Sequence, residues 1–256
     1  MEMVIPVADG EVWAEDSGAD LPALVLLHSG VGDSRQWDPL QPLLSQRYRT
    51  VRYDVRGFGR SPQPRAPFTT MTDLIAVLDR LGLGRVGLVG CSQGGATSID
   101  LALAQPERVA GIVLLGSGLT GYLFPPDLEF YRAGEALIAN RDIDGIAALV
   151  GNRWAGAGLI PGIEEELRTL ARRWLEPHDF KRPDPPAVNR LEEVSVPATL
   201  MVGDLDYPPL IKLNEEIAAR IPGCRLIRLP GADHYPQYRA PEAIVAAIDE
   251  TVNRSN

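Results

Sequence analysis

Apolar residues fall along this chain in short unbroken runs separated by longer stretches of helical spacing. Ala23-Leu24-Val25-Leu26-Leu27, Arg85-Val86-Gly87-Leu88-Val89, Val109 to Leu115 and Val196 to Val202 show little polar alternation, the pattern of strands covered on both faces. Residues 3–7 and 11–16 read as two more strands, and Ala8-Asp9-Gly10 between them is a hairpin signal, so an antiparallel sheet edge is expected there. Arg49-Thr50-Val51-Arg52-Tyr53 and Arg225 to Leu229 complete the set. Helical spacing fills the gaps: a helix over Trp37 to Leu44, another carrying Leu74, Ile75, Leu78 and Leu81, a third over Ala96 to Ala104, and two later faces made by Leu210, Leu213, Ile217 and Ile221 and by Ile244, Ile248 and Val252. Regular strand–helix alternation predicts an α/β protein with a mostly parallel sheet flanked by helices. Ligands of such sheets gather at the C-terminal ends of the strands.

The interval from Gly118 to Val194 breaks that rhythm. Its helix-like segments near 127–139, 142–150 and 163–175 end in the proline-rich link Pro183-Asp184-Pro185-Pro186. They predict a helical cap inserted after the sixth strand, so that residues 1–117 and 195–256 form the core domain and 118–194 the cap. Helically spaced aromatics in this interval pack a cap interior before they line a cavity. Val31, Trp37, Phe124, Phe130, Trp154 and Trp174 are nevertheless the candidates for the wall of an apolar substrate pocket.

Composition narrows the partners. At 256 residues, with 45% hydrophobic and 23% charged positions, the chain has the balance of one ordinary globular α/β domain with a single core. A net charge of -9 without a lysine-arginine cluster speaks against a nucleic-acid surface. No basic leader with an apolar stretch opens the chain and no apolar run is long enough for a bilayer, so a cytoplasmic address and no membrane partner are expected. Cys91 and Cys224 offer neither a disulfide framework nor a metal spacing and read as packing residues. The expected partner is a small-molecule substrate, with no cofactor or metal, for a monomer or homodimer.

The candidate chemistry centres on Gly90-Cys91-Ser92-Gln93-Gly94-Gly95, which joins the strand 85–89 to the helix-compatible stretch after it. This is the place and spacing of a Gly-x-Ser-x-Gly nucleophile elbow. A serine hydroxyl needs a base to take its proton and a carboxylate to orient that base. Of the three histidines, His28 ends a strand before a glycine loop, His178 lies in the link leaving the cap, and His234 follows the last strand in Gly231-Ala232-Asp233-His234. Only His234 combines a strand-end loop with a late position. The serine, acid, histidine order then requires a carboxylate between Ser92 and His234, and the loop after Val202 offers Asp204 and Asp206, which spacing does not separate. The oxyanion is expected at the N–H of Gln93 and at a second N–H in the loop after His28. Asp54 and Arg56, in the loop Asp54-Val55-Arg56-Gly57-Phe58-Gly59-Arg60-Ser61, read as a loop-fixing ion pair.

Together these segments resemble the α/β-hydrolase fold superfamily, in its compact esterase and lactonase branch that includes enol-lactonases. The matching stretches are Leu27-His28-Ser29-Gly30, residues 54–61, Gly90 to Gly95, Gly203-Asp204-Leu205-Asp206 and Gly231 to His234, in the family's order over almost the whole chain. The resemblance implies an eight-stranded sheet, Asp206 rather than Asp204 as the acid, and Gly30 as the second oxyanion donor with Val31 next in line. Cys91 stands where a histidine is often found and Ser29 where glycine is commoner, and neither position carries an obligatory catalytic atom. The implied activity is hydrolysis of a carboxylic ester or lactone through an acyl-enzyme on Ser92. Hydrolysis of a carbon–carbon bond in a vinylogous diketone, a haloperoxidase-like side activity, and a non-catalytic receptor on the same fold are the other readings.

Overall fold

A computed structural model describes residues 1–176 and 180–252; His178 lies outside the described residues. One eight-stranded sheet is formed by β1 (Glu2–Val7), β2 (Gly10–Asp16), β3 (Ala23–Leu27), β4 (Arg49–Tyr53), β5 (Val86–Cys91), β6 (Val109–Leu115), β7 (Ala198–Gly203) and β8 (Arg225–Leu229), in the order β1-β2-β4-β3-β5-β6-β7-β8. The β1–β2 hairpin and its seam with β4 are antiparallel, and every other pairing is parallel. Register brings Leu27 opposite Gly90, Cys91 opposite Leu115 and Gly203 opposite Leu229. The loops that follow these strands therefore emerge together along one edge.

Period-two alternation divides the strand side chains between two apolar layers. Val25, Leu27, Val51 and Leu88 face the layer covered by α2 (Thr70–Arg80), α3 (Gln93–Ala104) and α7 (Pro208–Arg220). Leu24, Leu26, Val89, Cys91 and Val113 face the layer covered by α1 (Gln41–Leu44) and α9 (Pro241–Val252). The helix expected over Trp37 to Leu44 is instead a 3-10 turn at Ser34–Trp37 followed by the single turn of α1. Pro39 and Pro42 remove the N–H groups that a continuous helix would need. No described helix is long and apolar enough to cross a membrane.

Between β6 and β7 lie α4 (Leu128–Ala139), α5 (Ile143–Trp154) and α6 (Pro161–Trp174). Asp127 and Asp142 cap the first two by accepting from the Phe130 and Gly145 N–H groups. Ile146, Val150, Ile163, Leu167 and Leu170 make the cap interior, and Tyr235, just ahead of the short helix α8 (Pro236–Arg239), joins them from below. Polar contacts complete the attachment. Arg35 holds Asp33 at 2.7 Å and donates to Thr169 of α6 at 3.0 Å. Glu166 of α6, buried, accepts from the Tyr238 hydroxyl at 2.6 Å. A Cβ on Gly32 would meet its other oxygen at 2.2 Å, so the loop after β3 and the cap touch through a glycine.

Arg56 corrects the expected pairing with Asp54. It is fully buried and bonds Asp73 of α2 at 2.8 and 2.6 Å and the Ala8 carbonyl at 2.7 Å, tying the hairpin to the sheet. Asp54 instead accepts from the N–H groups of Ser34 and Arg60. Its position at the end of β4 aims it along the loop rather than toward α2. Both residues fix loops, with different partners.

Two stability measurements check this fold. Removing one partner of a buried ion pair strands the other charge, so Arg56→Ala is expected to cost about 3–5 kcal/mol in urea unfolding. Burial pushes the Glu166 carboxyl up to about 8 from 4.5, the Tyr238 hydrogen bond opposing and the charge of Asp33 adding to the rise. The folded chain thus keeps a proton that the unfolded chain has lost, and stability falls as pH rises from 4.5 toward 8. Glu166→Gln is expected to escape this loss, gaining about 1 kcal/mol or more on the wild type between those limits; parallel pH profiles of the two proteins would refute the assignment.

Candidate active site

The site is built on the junction of β5 and α3. Ser92 sits between them at φ 50 and ψ -109, a strained conformation for a residue with a side chain. Glycine is obligatory around it: a Cβ on Gly90 would fall 2.3 Å from the Gly94 carbonyl oxygen, and one on Gly94 2.1 Å from the Leu27 carbonyl oxygen. The Ser92 backbone is held in turn by its N–H on the Leu115 carbonyl at 3.0 Å and by its carbonyl, which accepts from Ala96 at 3.1 Å and Gly118 at 2.8 Å. The half-buried serine therefore stands at the N-terminus of α3, beside N–H groups that have no acceptor within the helix.

His234 and Asp206 meet at the ends of β8 and β7. His234 Nδ1 lies 3.0 Å from Asp206 Oδ2, and the side chains of both are 1% exposed. With the carboxylate ionised, Nδ1 carries the proton and Nε2 the lone pair. Nε2 is buried and has no hydrogen-bond partner among the described residues. The second Asp206 oxygen accepts from the Tyr207 N–H at 2.7 Å. Cys91, next to Ser92, contacts the His234 carbonyl through Sγ at 3.8 Å, which puts this loop against the strand end that carries the serine. Asp204 is exposed and accepts from the Gly231 N–H at 2.7 Å; it braces the two loops and does not reach the imidazole.

The loop after β3 closes the other side. His28 is buried, with Nδ1 on the Ser29 carbonyl at 2.7 Å and Nε2 accepting from the Val55 N–H at 2.9 Å. This pairing needs the neutral ring, and burial lowers its pKa against the opposing charge of Asp54. The Val31 N–H donates to Ser29 Oγ at 3.3 Å. The Gly30 N–H has no such partner among the described residues, and a Cβ on Gly30 would lie 3.8 Å from Gln93 Oε1, so Gly30 and the start of α3 adjoin.

The six pocket candidates separate. Trp154 lies against the His234 ring, centroids 4.4 Å apart, and its carbonyl accepts from the His234 N–H at 3.1 Å. Phe124, 39% exposed, reaches the same group through Tyr207, which packs on Trp154. Val31 lies under the cap, where its carbonyl accepts from the Tyr235 hydroxyl at 3.4 Å. Phe130 and Trp174 pack on each other inside the cap, with Arg153 over Phe130. Trp37 is core: the 3-10 turn folds its indole, with no exposed surface, onto Leu24, Leu26 and Cys91.

Four contributors escaped the sequence reading. Gly116, at φ 48 after β6, leaves room for the pair, since its Cβ would lie 2.9 Å from Asp206 Oδ2 and 3.3 Å from His234 Nδ1. Buried Asp233 accepts from Ala157 of the cap at 3.0 Å and from Arg239 at 2.9 Å, locking the His234 loop. Tyr207 and the Trp154 carbonyl complete the set. Only Gly116 left a signal, a glycine directly after an apolar run; the rest depend on the cap's position.

Known proteins share this arrangement of chain. The profile of the Alpha/beta hydrolase family matches residues 24–247. The chain is 27% identical over 270 residues to a zearalenone hydrolase of Cladophialophora bantiana, covering 99% of this chain and 97% of that one. It is 25% identical over 254 residues to 3-oxoadipate enol-lactonase 2 of Acinetobacter baylyi, covering 95% and 93%. The crystal structure of a hydrolase from Pseudomonas aeruginosa superposes with a TM-score of 0.80 at 26% identity over 98% of both chains. With eight strands in this order, three helices between β6 and β7 and a family match over most of its length, the chain belongs to the alpha/beta hydrolase family.

Proposed function

We propose that the protein is a serine hydrolase of carboxylic esters or lactones of small organic substrates, acting through an acyl-enzyme on Ser92. The observation that carries this reading is the buried His234–Asp206 contact at 3.0 Å, which leaves His234 Nε2 without a partner among the described residues, on a loop that meets Cys91 next to Ser92. Ester and lactone hydrolases among the relatives support the bond class.

In this mechanism Ser92 Oγ attacks the carbonyl carbon while His234 Nε2 takes the hydroxyl proton. Asp206 holds the Nδ1–H tautomer and stabilises the imidazolium. Negative charge developing on the carbonyl oxygen is met by the Gln93 N–H, aided by the positive end of α3, and by the Gly30 N–H. The engagement of the Val31 N–H by Ser29 supports Gly30 as the second donor. Collapse breaks the bond from the carbonyl carbon to the leaving oxygen, which receives the proton from His234. Water then repeats the sequence on the acyl-enzyme, giving the carboxylic acid and restoring Ser92. Trp154, Tyr207 and Phe124 provide the apolar wall nearest His234.

A fluorophosphonate probe is expected to add one label at Ser92, and Ser92→Ala to abolish it; a folded wild type that takes no label overturns the reading. Asp206→Asn is expected to lower kcat on p-nitrophenyl acetate by about a thousandfold or more, with Asp204→Asn close to wild type. Equal losses in the two variants would remove Asp206 from its role.

A further inference from the structure

Interior arginines of this protein are matched by acids: Arg52 by Glu15 and Asp38, Arg56 by Asp73, Arg239 by Asp233. Half-buried Arg173 departs from that rule, and exposed Lys181 shares its lack of a carboxylate. Among the described residues neither makes an ion pair with a carboxylate, although the chain carries 34 acidic residues against 25 basic ones. Both come from the end of the cap, Arg173 from the last turn of α6 and Lys181 from the segment that runs beside Phe68.

Their surroundings point toward the serine. Lys181 Nζ donates to Gln93 Oε1 on the residue after Ser92. Because an ammonium only donates, this contact fixes the amide and leaves Gln93 Nε2 as its other end. That nitrogen is buried and has no partner among the described residues. The Arg173 guanidinium lies 3.8 Å from the centre of the Phe58 ring, which is 5.0 Å from the His28 ring at the base of the loop carrying Gly30. Arg173 Nε is also buried and without a partner among the described residues. Two of these donor nitrogens, Gln93 Nε2 and Arg173 Nε, are thus buried without an acceptor among the described residues, the first of them on the residue after Ser92.

A carboxylate supplies what these donors lack, and charge-assisted bonds to it are the strong kind. We propose that Lys181, Arg173 and the Gln93 side-chain amide form a subsite for a carboxylate carried by the ester or lactone substrate. The subsite rests on the serine-hydrolase reading for its role and on the unmatched donors for its existence. Arg173 acts on Lys181: burial and then the Arg173 charge lower the Lys181 ammonium to about 8, and burial lowers Arg173 to about 10. Asp184 and Asp100 pull Lys181 the other way; Asp184 Oδ2 accepts from Thr70 and the Met71 N–H and Asp100 Oδ2 from Thr120, while the Oδ1 of each is buried without a partner among the described residues. A bound anion offsets that repulsion on Lys181.

The test has two arms, one independent of catalysis. Hydrolysis of monomethyl succinate, monomethyl glutarate and monomethyl adipate is compared with that of neutral methyl esters of the same length. The best anionic ester is expected to exceed its neutral partner in kcat/KM by about tenfold or more, and Arg173→Gln with Lys181→Met to erase that preference, chiefly through KM. In calorimetry, glutarate or adipate dianion is expected to bind the wild type and to bind the double variant at least about tenfold more weakly. Dianion binding without fluorophosphonate labelling of Ser92 would sink the hydrolase reading and keep the subsite. Labelling of Ser92 with no dianion binding and no anionic preference overturns the subsite alone.

Discussion

The close approach of two backbones at the start of α3 governs the architecture of the site. Gly94 lies so near the Leu27 carbonyl, and Gly90 so near Gly94, that no side chain fits at either position. That proximity is what lets the chain reverse from β5 into α3 with Ser92 in a conformation costing on the order of 1–3 kcal/mol. The cost is offset by the three backbone hydrogen bonds that Ser92 makes to Leu115, Ala96 and Gly118. Loosening the junction would move the serine, the first N–H groups of α3 and the contact with Gly30 at once.

Around this junction, buried polar groups are each held by specific partners. His28 is neutral because one ring nitrogen donates to Ser29 and the other accepts from Val55. Glu166 holds its proton at moderate pH because the cap buries it beside the charge of Asp33, against the opposing hydrogen bond from Tyr238. His234 is oriented by Asp206, and its loop is held by Asp233 through Ala157 and Arg239. Cap and strand-end loops are therefore parts of one rigid environment, as a preorganised site requires.

Charge matching gives the same environment a direction. Acids outnumber bases in this chain, so a partly buried cation without a carboxylate is a departure from its own pattern. Half-buried Arg173, over Phe58, is that departure, and exposed Lys181 reaches the residue after Ser92 from the same end of the cap. Elsewhere the aromatic residues of the cap divide between structure and site: Phe130 and Trp174 hold α4 to α6, while Trp154 meets His234.

Much of this was legible in the chain. Strands covered on both faces leave unbroken apolar runs, and each run ends in the glycine, serine, aspartate or histidine that the sheet edge displays, so the strand order along the chain, Ser92 and His234 could be read from local pattern. The resemblance to a known family, not spacing, favoured Asp206 over Asp204, and geometry then put Asp206 on His234 and Asp204 on Gly231. Side-chain partners across the fold were not legible. Arg56 reaches Asp73 rather than Asp54, Trp37 turns into the core, and Gly116 opens space for a pair that lies 90 and 118 residues further along. Local sequence determines periodicity and turn chemistry, because these depend on neighbours in the chain. Which polar groups meet, and which are left unmatched, depends on how the cap and the strand-end loops pack, and only the tertiary structure decides that.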